Sequence, residues 1–562
     1  MSHFFNRSNS LPAKYRIPLS FALLTVAFSP LAAANAAGQS TAVFNVSAYG
    51  AKGDGTALNT TAIQSAIDAA SKAGGGIVYL PAGKYLSGSL HLKSNVELRL
   101  ERGAVLQGST SRADYPRGNW TALLDADGQK NIKLSGSGTI DGQGLLLAKD
   151  VMRRAAQGEF GAQSAELNQS RLRSLELPDA EFSQKTLGNR ANESDRPMII
   201  RLTGCRNVGV AGVTLRNSSG WVSKYDSCDD VTIKGVKVDS TVYWNNDGFD
   251  ITDCHNVKIS DCDINSADDG ICLKSGAGGT LGQGDEHSKN SRGCYNVNVS
   301  NCRVRSSASA FKMGTASFGG FRKIRVSNLT VYDTYRSAIA LECVDGGTVD
   351  DVVVENVTAF NTGCAIFMRL GQRNTKAPTG VFQNVTIRNV KTWIPEGKPD
   401  AGYGTLVPSA LAPNILPSAI AGIPGHPIRN VRLENIQIFH PGGGDSQKAN
   451  MTTDKLDSVP ERMGSYPEIS MFGELPAWGF YVRHVEGLQL VNVHCARKAT
   501  DYRPAMVFDD VQNLSLSDLA IHPELNNPDL FFRNVHKATL GADITQQMLH
   551  SGADSSDITR FK

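Results

Sequence analysis

Two short aspartate-rich motifs are the residues best suited to chemistry in this chain. The stretch WNNDGFDITDCHNVKISDCDINSADDGICLKSG, residues 244–276, contains seven aspartates in thirty-three residues. Asp247 lies in the motif NNDGFD, and Asp268 and Asp269 are adjacent in ADDG. Like charges placed side by side separate the pKa values of the carboxyl groups, which a paired general acid and base require. We therefore predict that these three aspartates are catalytic.

Most of the other aspartates nearby have a simpler explanation. Asp and Asn side chains accept hydrogen bonds within tight turns and occupy them for that reason. We assign this structural role to Asp230, Asp253 and Asp261, and also to Asp250. A turn does not require two adjacent acids, so the explanation is weaker for Asp268 and Asp269.

A repeated strand phrase defines the element that must position these residues. Between Asn207 and Asp351 successive phrases begin 23, 26, 40, 27 and 28 residues apart. Each phrase alternates apolar with polar residues and is rich in Val and Ile, which predicts a short strand bounded by tight bends. A period of this size indicates a solenoid. The phrases are NVELRL, NIKLSG, NVGVAGVTL, DVTIKGVKV, NVKISDCDI, NVNVSNCRV, KIRVSNLTV, DVVVENVTA, NVTIRNV and NVRLENIQI.

We predict an all-β, single-domain, right-handed parallel β-helix over residues 37–562. A propeller or sandwich is the alternative, but propeller blades run to about 40 residues and carry hairpin signals that this sequence lacks. Equivalent positions in stacked coils lie about 4.8 Å apart. Because Asp247 and Asp268 are 21 residues apart, close to one coil, the solenoid would bring the three aspartates into one acidic patch.

Three segments depart from the strand repeat. Residues 59–72, NTTAIQSAIDAASK, have apolar residues at helical spacing and predict a helix that caps the open N-terminal end. Residues 145–196 are charged and weakly helical, and residues 395–478 are rich in Pro and Gly. Long loops on a rigid scaffold are often functional, so we interpret both as loop insertions that border a site.

The bulk composition restricts location and partners. Residues 1–36 contain three cations and no acid, followed by an apolar run and Ala-Asn-Ala, which predicts a signal peptide and an exported protein, periplasmic or secreted. Removing them from a formal charge of +3 leaves a mature chain near zero, which argues against nucleic-acid binding. No later apolar run is long enough to cross a membrane. We expect a monomer.

The ten cysteines recur at fixed places in the repeat. Cys205, Cys228, Cys254 and Cys294 each precede an Asn/Asp-Val step by two residues. Disulfides are common in exported proteins, and neighbouring coils are close enough for bridges. Regular spacing nevertheless favours buried free thiols, which pack as small apolar side chains.

Nearly all of the predicted mature chain resembles the polygalacturonase family of glycoside hydrolases, family 28. Its opening, FNVSAYGAKGDGTALNTTAIQSAIDAASKAGGGIVYLPAGKY, is similar to the start of that family. The Asn-Thr-Asp motif appears as Asn245-Asn246-Asp247, and the paired Asp-Asp as Asp268-Asp269. The resemblance implies that Asp268 is the general acid, that Asp247 and Asp269 hold and deprotonate water, and that neither a metal nor another cofactor is needed. It also implies inversion, with acid and base about 6.5–9.5 Å apart.

Two family motifs are absent. Ala-Ser-Ala, with Ser309 at its centre, stands where the family has Gly-His-Gly. Ala-Leu-Glu, ending at Glu342, stands where the family has Arg-Ile-Lys, the binding motif for a galacturonate carboxylate. Lysines and arginines at similar positions in the repeat could replace this carboxylate-binding motif, although each is equally consistent with a solvated surface charge. The predicted substrate-binding residues are Asn245, Lys274, Ser309, Lys312, Glu342, Arg369, Arg373 and His426.

Aromatic residues and histidines in the second insertion have two interpretations. His426 lies in GIPGHPI, and Phe472, Trp478, Tyr481 and His484 lie in MFGELPAWGFYVRH. Aromatic faces stack on sugar rings, so these residues could border a cleft. They could equally pack the insertion against the solenoid.

These features favour a hydrolase acting on a pectin-type acidic polysaccharide, rhamnogalacturonan or substituted galacturonan, with exo action if the insertions block one end of the cleft. A calcium-dependent lyase or epimerase on the same fold is the second hypothesis. A non-catalytic carbohydrate-binding solenoid is the third. No zinc site is indicated, because the Cys and His residues lack ligand spacing.

Overall fold

The computed structural model describes residues 42–169, 171–178, 181, 190–276, 291–399, 416–445, 449–521 and 529–561. From residue 42 onward they belong to one compact unit. The predicted signal peptide, residues 1–36, lies outside them. Every pairing between named strands in this unit is parallel, and each strand pairs with the equivalent strand of the next coil. The predicted parallel β-helix is therefore present.

The first coils consist of short strands and one helix. Helix α1, Thr60–Lys72, buries Ile63, Ala66 and Ile67 against the first strands, where the sequence predicted a helix. The strands of this part are β1 Val43–Asn45, β2 Asp54–Leu58, β3 Gly76–Leu80, β4 Gly83–Ser87, β5 Leu90–His91, β6 Val96–Leu100, β7 Ala104–Gly108, β8 Ala122–Asp127, β9 Lys130–Gly136 and β10 Thr139–Asp141.

The middle coils carry the aspartate-rich stretch on strands of three to thirteen residues. They are β11 Met198–Thr203, β12 Arg206–Ala211, β13 Thr214–Arg216, β14 Ser223–Asp226, β15 Asp229–Lys234, β16 Lys237–Ser240, β17 Phe249–Thr252, β18 His255–Ser260, β19 Asp263–Ser266, β20 Ile271–Ser275, β21 Cys294–Ser306 and β22 Phe311–Ser317.

Several strands of the last coils are longer, and β23 and β24, of 23 residues each, turn the solenoid's corners without a break. The strands of this part are β23 Phe321–Cys343, β24 Thr348–Leu370, β25 Val381–Trp393, β26 Ser418–Ala421, β27 Ile428–His440, β28 Phe480–Arg497, β29 Met506–Ile521, β30 Leu530–His536, β31 Thr539–Leu540, β32 Leu549–Ser551 and β33 Thr559–Arg560.

The first residue of each repeat phrase explains the tight corners. These residues have φ between 53° and 65°, the left-handed region that Asn and Asp tolerate better than most residues. Their side chains also bond from coil to coil: Asn131 Nδ2 donates to Asn95 Oδ1 at 2.7 Å, and Asn207 Nδ2 to Asn131 Oδ1 at 2.8 Å. The left-handed set is Asn95, Asn131, Asn207, Asp230, Asn256, Asn296, Lys323, Asp351, Asn384 and Asn430.

The interior of the solenoid is filled by columns of side chains that occupy equivalent positions in successive coils. One column runs through the buried residues Val208, Val231, Val257, Val297, Ile324, Val352, Val385, Val431, Leu488 and Leu514. Burying each such side chain contributes about 1.5–3 kcal/mol. The ten cysteines are likewise free and buried, as their spacing predicted.

The two insertions have more regular structure than the sequence indicated. The first forms α2 Gly144–Ala156, α3 Ala162–Gln169 and short 3-10 helices at Leu172–Glu176 and Glu193–Asp195. The predicted range of the second, 395–478, is too wide, because β26 and β27 lie inside it and continue the solenoid. Among the described residues, none of the helices combines the length and apolar character needed to cross a bilayer.

Candidate active site

Three carboxylates meet at the turns that precede neighbouring strands. Phe249 of β17 pairs with Ile271 of β20, so Asp247 and Asp269, each two residues earlier, are in register on adjacent coils. Oxygen atoms of Asp247, Asp268 and Asp269 lie within 4.8 Å of one another, which confirms that the solenoid brings these aspartates into one acidic patch. Asp247 and Asp269 are buried, whereas Asp268 is half-buried.

Lys274 on β20 is the cation at one end of this cluster. Its Nζ donates to Asp247 Oδ2 at 3.0 Å and also to Asp250 Oδ1. The ring of Trp221 lies over the ammonium group, 4.0 Å from Nζ to the ring centroid. The Lys274 ammonium group therefore contacts two carboxylates and one aromatic ring.

Asp250 does not have the turn role that the sequence suggested. It lies on strand β17, is fully buried and is paired with Lys274. Burial raises the pKa of Asp250 to about 6, although Lys274 opposes the shift. Burial also raises the pKa of Asp247 well above its usual range, with the charges of the neighbouring aspartates adding to the effect. By contrast, Asp230, Asp253 and Asp261 have the left-handed backbone of turn residues.

Lys312 on β22 is the cation at the other end. Its Nζ lies 3.1 Å from Asp269 Oδ2 and 3.7 Å from Glu342 Oε2, and donates to the Tyr466 hydroxyl at 3.0 Å. The backbone N–H of Ser309 donates to Asp269 Oδ1 at 3.1 Å. Burial works to raise the pKa of Asp269, but Lys312 and further cations outweigh it and lower the pKa below its usual value. Asp269 is therefore the best candidate for an ionised base.

Glu342 on β23 is a second buried acid in contact with Lys312. Burial raises the pKa of Glu342 to about 8 against the opposing effect of Lys312. Its Oε2 accepts no hydrogen bond from the residues that the structure describes. Glu342 is therefore largely neutral at pH 7, and Lys312 chiefly compensates Asp269.

The first insertion holds Asn245 in place beside the cluster. Arg196 is fully buried and donates to Asn245 Oδ1 at 2.8 Å, while Asn245 Nδ2 donates to Asp268 Oδ2 at 3.5 Å. Glu193 accepts a hydrogen bond from Trp221 Nε1 at 2.7 Å. This insertion thus positions Asn245 and the ring that covers Lys274.

Three predicted substrate-binding residues are not brought to the cluster. Arg369 is fully buried and donates to the carbonyl oxygens of Gly422 at 2.8 Å and Glu461 at 2.5 Å. Arg373 forms a bidentate pair with Asp345, at 2.8 and 2.9 Å. His426 is exposed on a turn that its backbone closes with Ile423. The two arginines stabilise the fold where they lie, so they do not supply the expected clamp.

The aromatic residues of the second insertion pack it against the solenoid. Phe472, Trp478 and Tyr481 are all buried, and Phe472 and Tyr481 belong to an apolar cluster with Leu456 and Val459. His484 bonds to Asp510 at 2.6 Å and to Glu461 at 3.1 Å. Of the two interpretations of these residues, the structure favours packing.

The residues of this insertion that do reach the cluster were missed. Tyr466 contacts Lys312, and Glu468 pairs with Arg336 at 2.9 Å. Arg336 itself could have been found, because it lies two coils after Asp268 at an equivalent position. No sequence pattern indicated Tyr466, because it lies 154 residues from Lys312 in a segment that lacks the strand repeat.

The three carboxylates could in principle hold a divalent cation. Their oxygens lie within 4.8 Å of one another, and hard cations such as Ca²⁺ prefer oxygen ligands. Two of the three, however, are already paired with ammonium groups, Asp247 with Lys274 and Asp269 with Lys312. A metal would add positive charge against both lysines, so this donor set fits acid–base chemistry better.

Comparisons with known proteins agree with this geometry. Residues 75–344 match the family model described as "Glycosyl hydrolases family 28", a range that includes the cluster and Glu342 but not Arg369, Arg373 or His426. An exo-poly-alpha-D-galacturonosidase of Dickeya chrysanthemi is 30% identical over 257 residues, which cover 42% of this chain and 42% of that protein. The chain thus spans less than half the length of that relative.

Two further relatives extend the match beyond this region. A "probable polygalacturonase" of Vitis vinifera is 25% identical over 431 residues, covering 69% of this chain and 73% of that protein. The family 28 exopolygalacturonase of Yersinia enterocolitica has the same fold, with a TM-score of 0.57 at 21% identity over 84% of this chain and 78% of that chain. Fold, acidic cluster and family match agree, and the region that holds the cluster, residues 75–344, belongs to glycoside hydrolase family 28.

Proposed function

We propose that this chain hydrolyses glycosidic bonds in a pectin-type acidic polysaccharide or its oligosaccharides, with rhamnogalacturonan or substituted galacturonan as the substrate. The observation that carries the proposal is the arrangement of Asp247, Asp268 and Asp269, whose oxygens lie within 4.8 Å of one another between Lys274 and Lys312. The family match supports the reaction type. The relatives named above support the pectin class of substrate.

Each aspartate has a distinct role in the proposed reaction. Asp268 is the most exposed of the three and donates its proton to the glycosidic oxygen as the C–O bond breaks. Asp269, held as an anion, removes a proton from the water that attacks the anomeric carbon. Asp247 holds that water together with Asp269. The proton lost by Asp268 leaves with the departing sugar, and Asp269 gains the proton of the water.

The spacing of the carboxylates bears on the stereochemical outcome. The closest oxygens lie within 4.8 Å, nearer than the separation of about 6.5–9.5 Å that inverting enzymes usually show. One water can nevertheless bond to two oxygens this far apart, because each O–H···O bond is about 2.7–2.8 Å long. We therefore propose inversion, with the water held between Asp247 and Asp269.

The proposal extends to location and assembly on the sequence alone. The leader at residues 1–36 supports export, to the periplasm or the medium. We further propose that the protein acts as a monomer and without a cofactor. Size-exclusion chromatography with light scattering and activity in the presence of EDTA test these two statements.

The decisive experiment compares wild type with Asp268→Asn on rhamnogalacturonan, polygalacturonate and their oligosaccharides. Reducing ends, ultraviolet absorbance and the anomer of the first product by NMR are followed together. We expect new reducing ends of inverted configuration without absorbance, lost in Asp268→Asn. Asp263→Asn is a matched control, because that side chain lies on neighbouring β19, is 45% exposed and pairs only weakly with Arg303 at 3.5 Å.

Other outcomes would point to the competing functions. Absorbing products that disappear with EDTA would assign the aspartates to a calcium-dependent lyase, for which their mutual spacing is the favourable observation. Binding without any product, retained in Asp268→Asn, would identify a carbohydrate-binding solenoid. Either result would refute the hydrolase proposal.

A further inference from the structure

Among the residues that the structure describes, the Lys312 end of the cluster has no cation available for an acidic sugar. Lys312 is 1% exposed and lies between Asp269 and Glu342. Arg336, the other cation that pairs with a carboxylate at this end, is held by Glu468 at 2.9 Å. A uronate carboxylate would have to displace one of these acids.

Lys312 and Arg336 are already paired with acids at this end, so a uronate would add a negative charge without a partner. Asp269 is an anion with a lowered pKa, and Glu468 adds a second negative charge whose side chain is 25% exposed. Binding a further carboxylate here without a free cation carries a desolvation and repulsion cost. A sugar whose hydroxyl groups alone meet these acids carries no such cost.

Tyr466 supplies a surface for such a sugar. Its hydroxyl accepts a hydrogen bond from Lys312, which fixes the ring directly at the cluster, and the residue is 43% exposed. An aromatic ring held by its hydroxyl and open to solvent can stack on the apolar face of a sugar. Hydroxyl groups on that sugar could donate to the nearby carboxylates, since ionised acids are strong acceptors.

We propose that Tyr466, Arg336 and Glu468 form a subsite for a neutral sugar at the Lys312 end of the cluster. Glu468 is the specificity-determining residue, because it neutralises Arg336, a partly exposed cation that could otherwise bind a uronate. This inference rests on the proposed hydrolase function. It selects chains in which neutral sugars alternate with uronates over chains built of uronates alone.

The test measures kcat/KM on two oligosaccharides of equal length, one of alternating rhamnose and galacturonate and one of galacturonate only. Cleaving the alternating chain always leaves a neutral sugar on one side of the broken bond, whichever way the chain lies. Wild type should prefer the alternating chain by about tenfold or more. Glu468→Gln frees Arg336 and should raise kcat/KM on the uronate chain by about three- to tenfold, whereas Glu468→Asp should not.

Misfolding cannot raise kcat/KM, so the gain expected for Glu468→Gln cannot be caused by a misfolded variant. Tyr466→Leu adds a second measurement, with KM for the alternating chain expected to rise about fivefold or more and Tyr466→Phe retaining most of the affinity. A wild-type preference for the uronate chain, or an unchanged ratio in Glu468→Gln, would overturn the subsite while leaving the hydrolase intact. Cleavage of neither chain would overturn the subsite, and the hydrolase proposal as well if substituted galacturonan is also left intact.

Discussion

At each end of the acidic cluster one lysine contacts two acids, but the pKa values of the aspartates shift in opposite directions at the two ends. At one end Lys274 contacts Asp247 and Asp250, and at the other Lys312 contacts Asp269 and Glu342. All four acids are buried. Yet the pKa of Asp247 is raised and that of Asp269 is lowered.

The difference lies in what else each aspartate contacts. Besides Lys312, the charges of Lys274 and Arg336 and the Ser309 N–H lower the pKa of Asp269, and the other acid on Lys312, Glu342, is mostly neutral. Asp247 shares Lys274 with Asp250, and its Oδ1 has no hydrogen-bond partner among the described residues. A neighbouring lysine therefore does not by itself fix the charge of its partner. The further cations and backbone donors around each aspartate, and the charge of the second acid on the lysine, decide the outcome.

The largest expected effect is the loss of the base. Asp269→Asn should lower kcat by about 10²–10⁴-fold, because proton transfer from water then has no acceptor. In wild type the acidic limb of kcat/KM against pH should lie below the ordinary pKa of an aspartate, since the pKa of Asp269 is lowered. A limb well above that value, abolished in Asp247→Asn, would assign the base to Asp247 instead.

Removing either lysine should distinguish the two ends by stability. Lys274→Met leaves two buried carboxylates without a cation and should reduce the free energy of unfolding by about 3–5 kcal/mol. Lys312→Met should cost less, because Glu342 is already largely neutral and Asp269 keeps the Ser309 N–H. It should also move the acidic limb of the activity profile to higher pH, as the pKa of Asp269 rises. Urea denaturation of both variants gives the comparison, and equal losses would contradict it.

A pH-dependent effect is expected from Glu342. Its pKa is about 8 in the folded state against an ordinary value of 4.5, so the folded protein binds more protons between these two pH values. Stability contributed by this difference is present at low pH and is lost as pH rises through about 8. Glu342→Gln should therefore become more stable relative to wild type as pH rises from 5 to 9, by up to about 4 kcal/mol. A difference that does not change with pH would show that Glu342 is ionised throughout.

The smallest expected effect concerns the ring over Lys274. Trp221→Leu removes an aromatic face 4.0 Å from the ammonium group, which should cost about 0.5–2 kcal/mol of stability. Trp221→Phe keeps an aromatic face and should recover part of the loss. Thermal unfolding of the two variants measures this, and identical behaviour of Leu and Phe would show that the contact is only apolar packing.

The amino-acid sequence by itself determined the solenoid and the acidic cluster. Consecutive coils are joined by about one repeat of chain, so residues at equal phase become neighbours whatever the rest of the molecule does. The left-handed corners at Asn95 and its equivalents, the buried cysteines and the meeting of Asp247 with Asp268 and Asp269 all follow from that local spacing.

Only the tertiary structure decided how the charges are paired. Arg369 and Arg373 lie at positions in the repeat similar to those of the site residues. Arg369, however, binds backbone oxygens, and Arg373 binds Asp345. Tyr466 contacts Lys312, which lies 154 residues away in the sequence. Tyr466 belongs to an insertion that lacks the strand repeat, so spacing does not predict its position. The charge of a buried group depends on its nearest partners, and those partners come from segments that are distant in sequence. For this reason the acids were predictable from sequence, whereas their protonation and their charge partners were not.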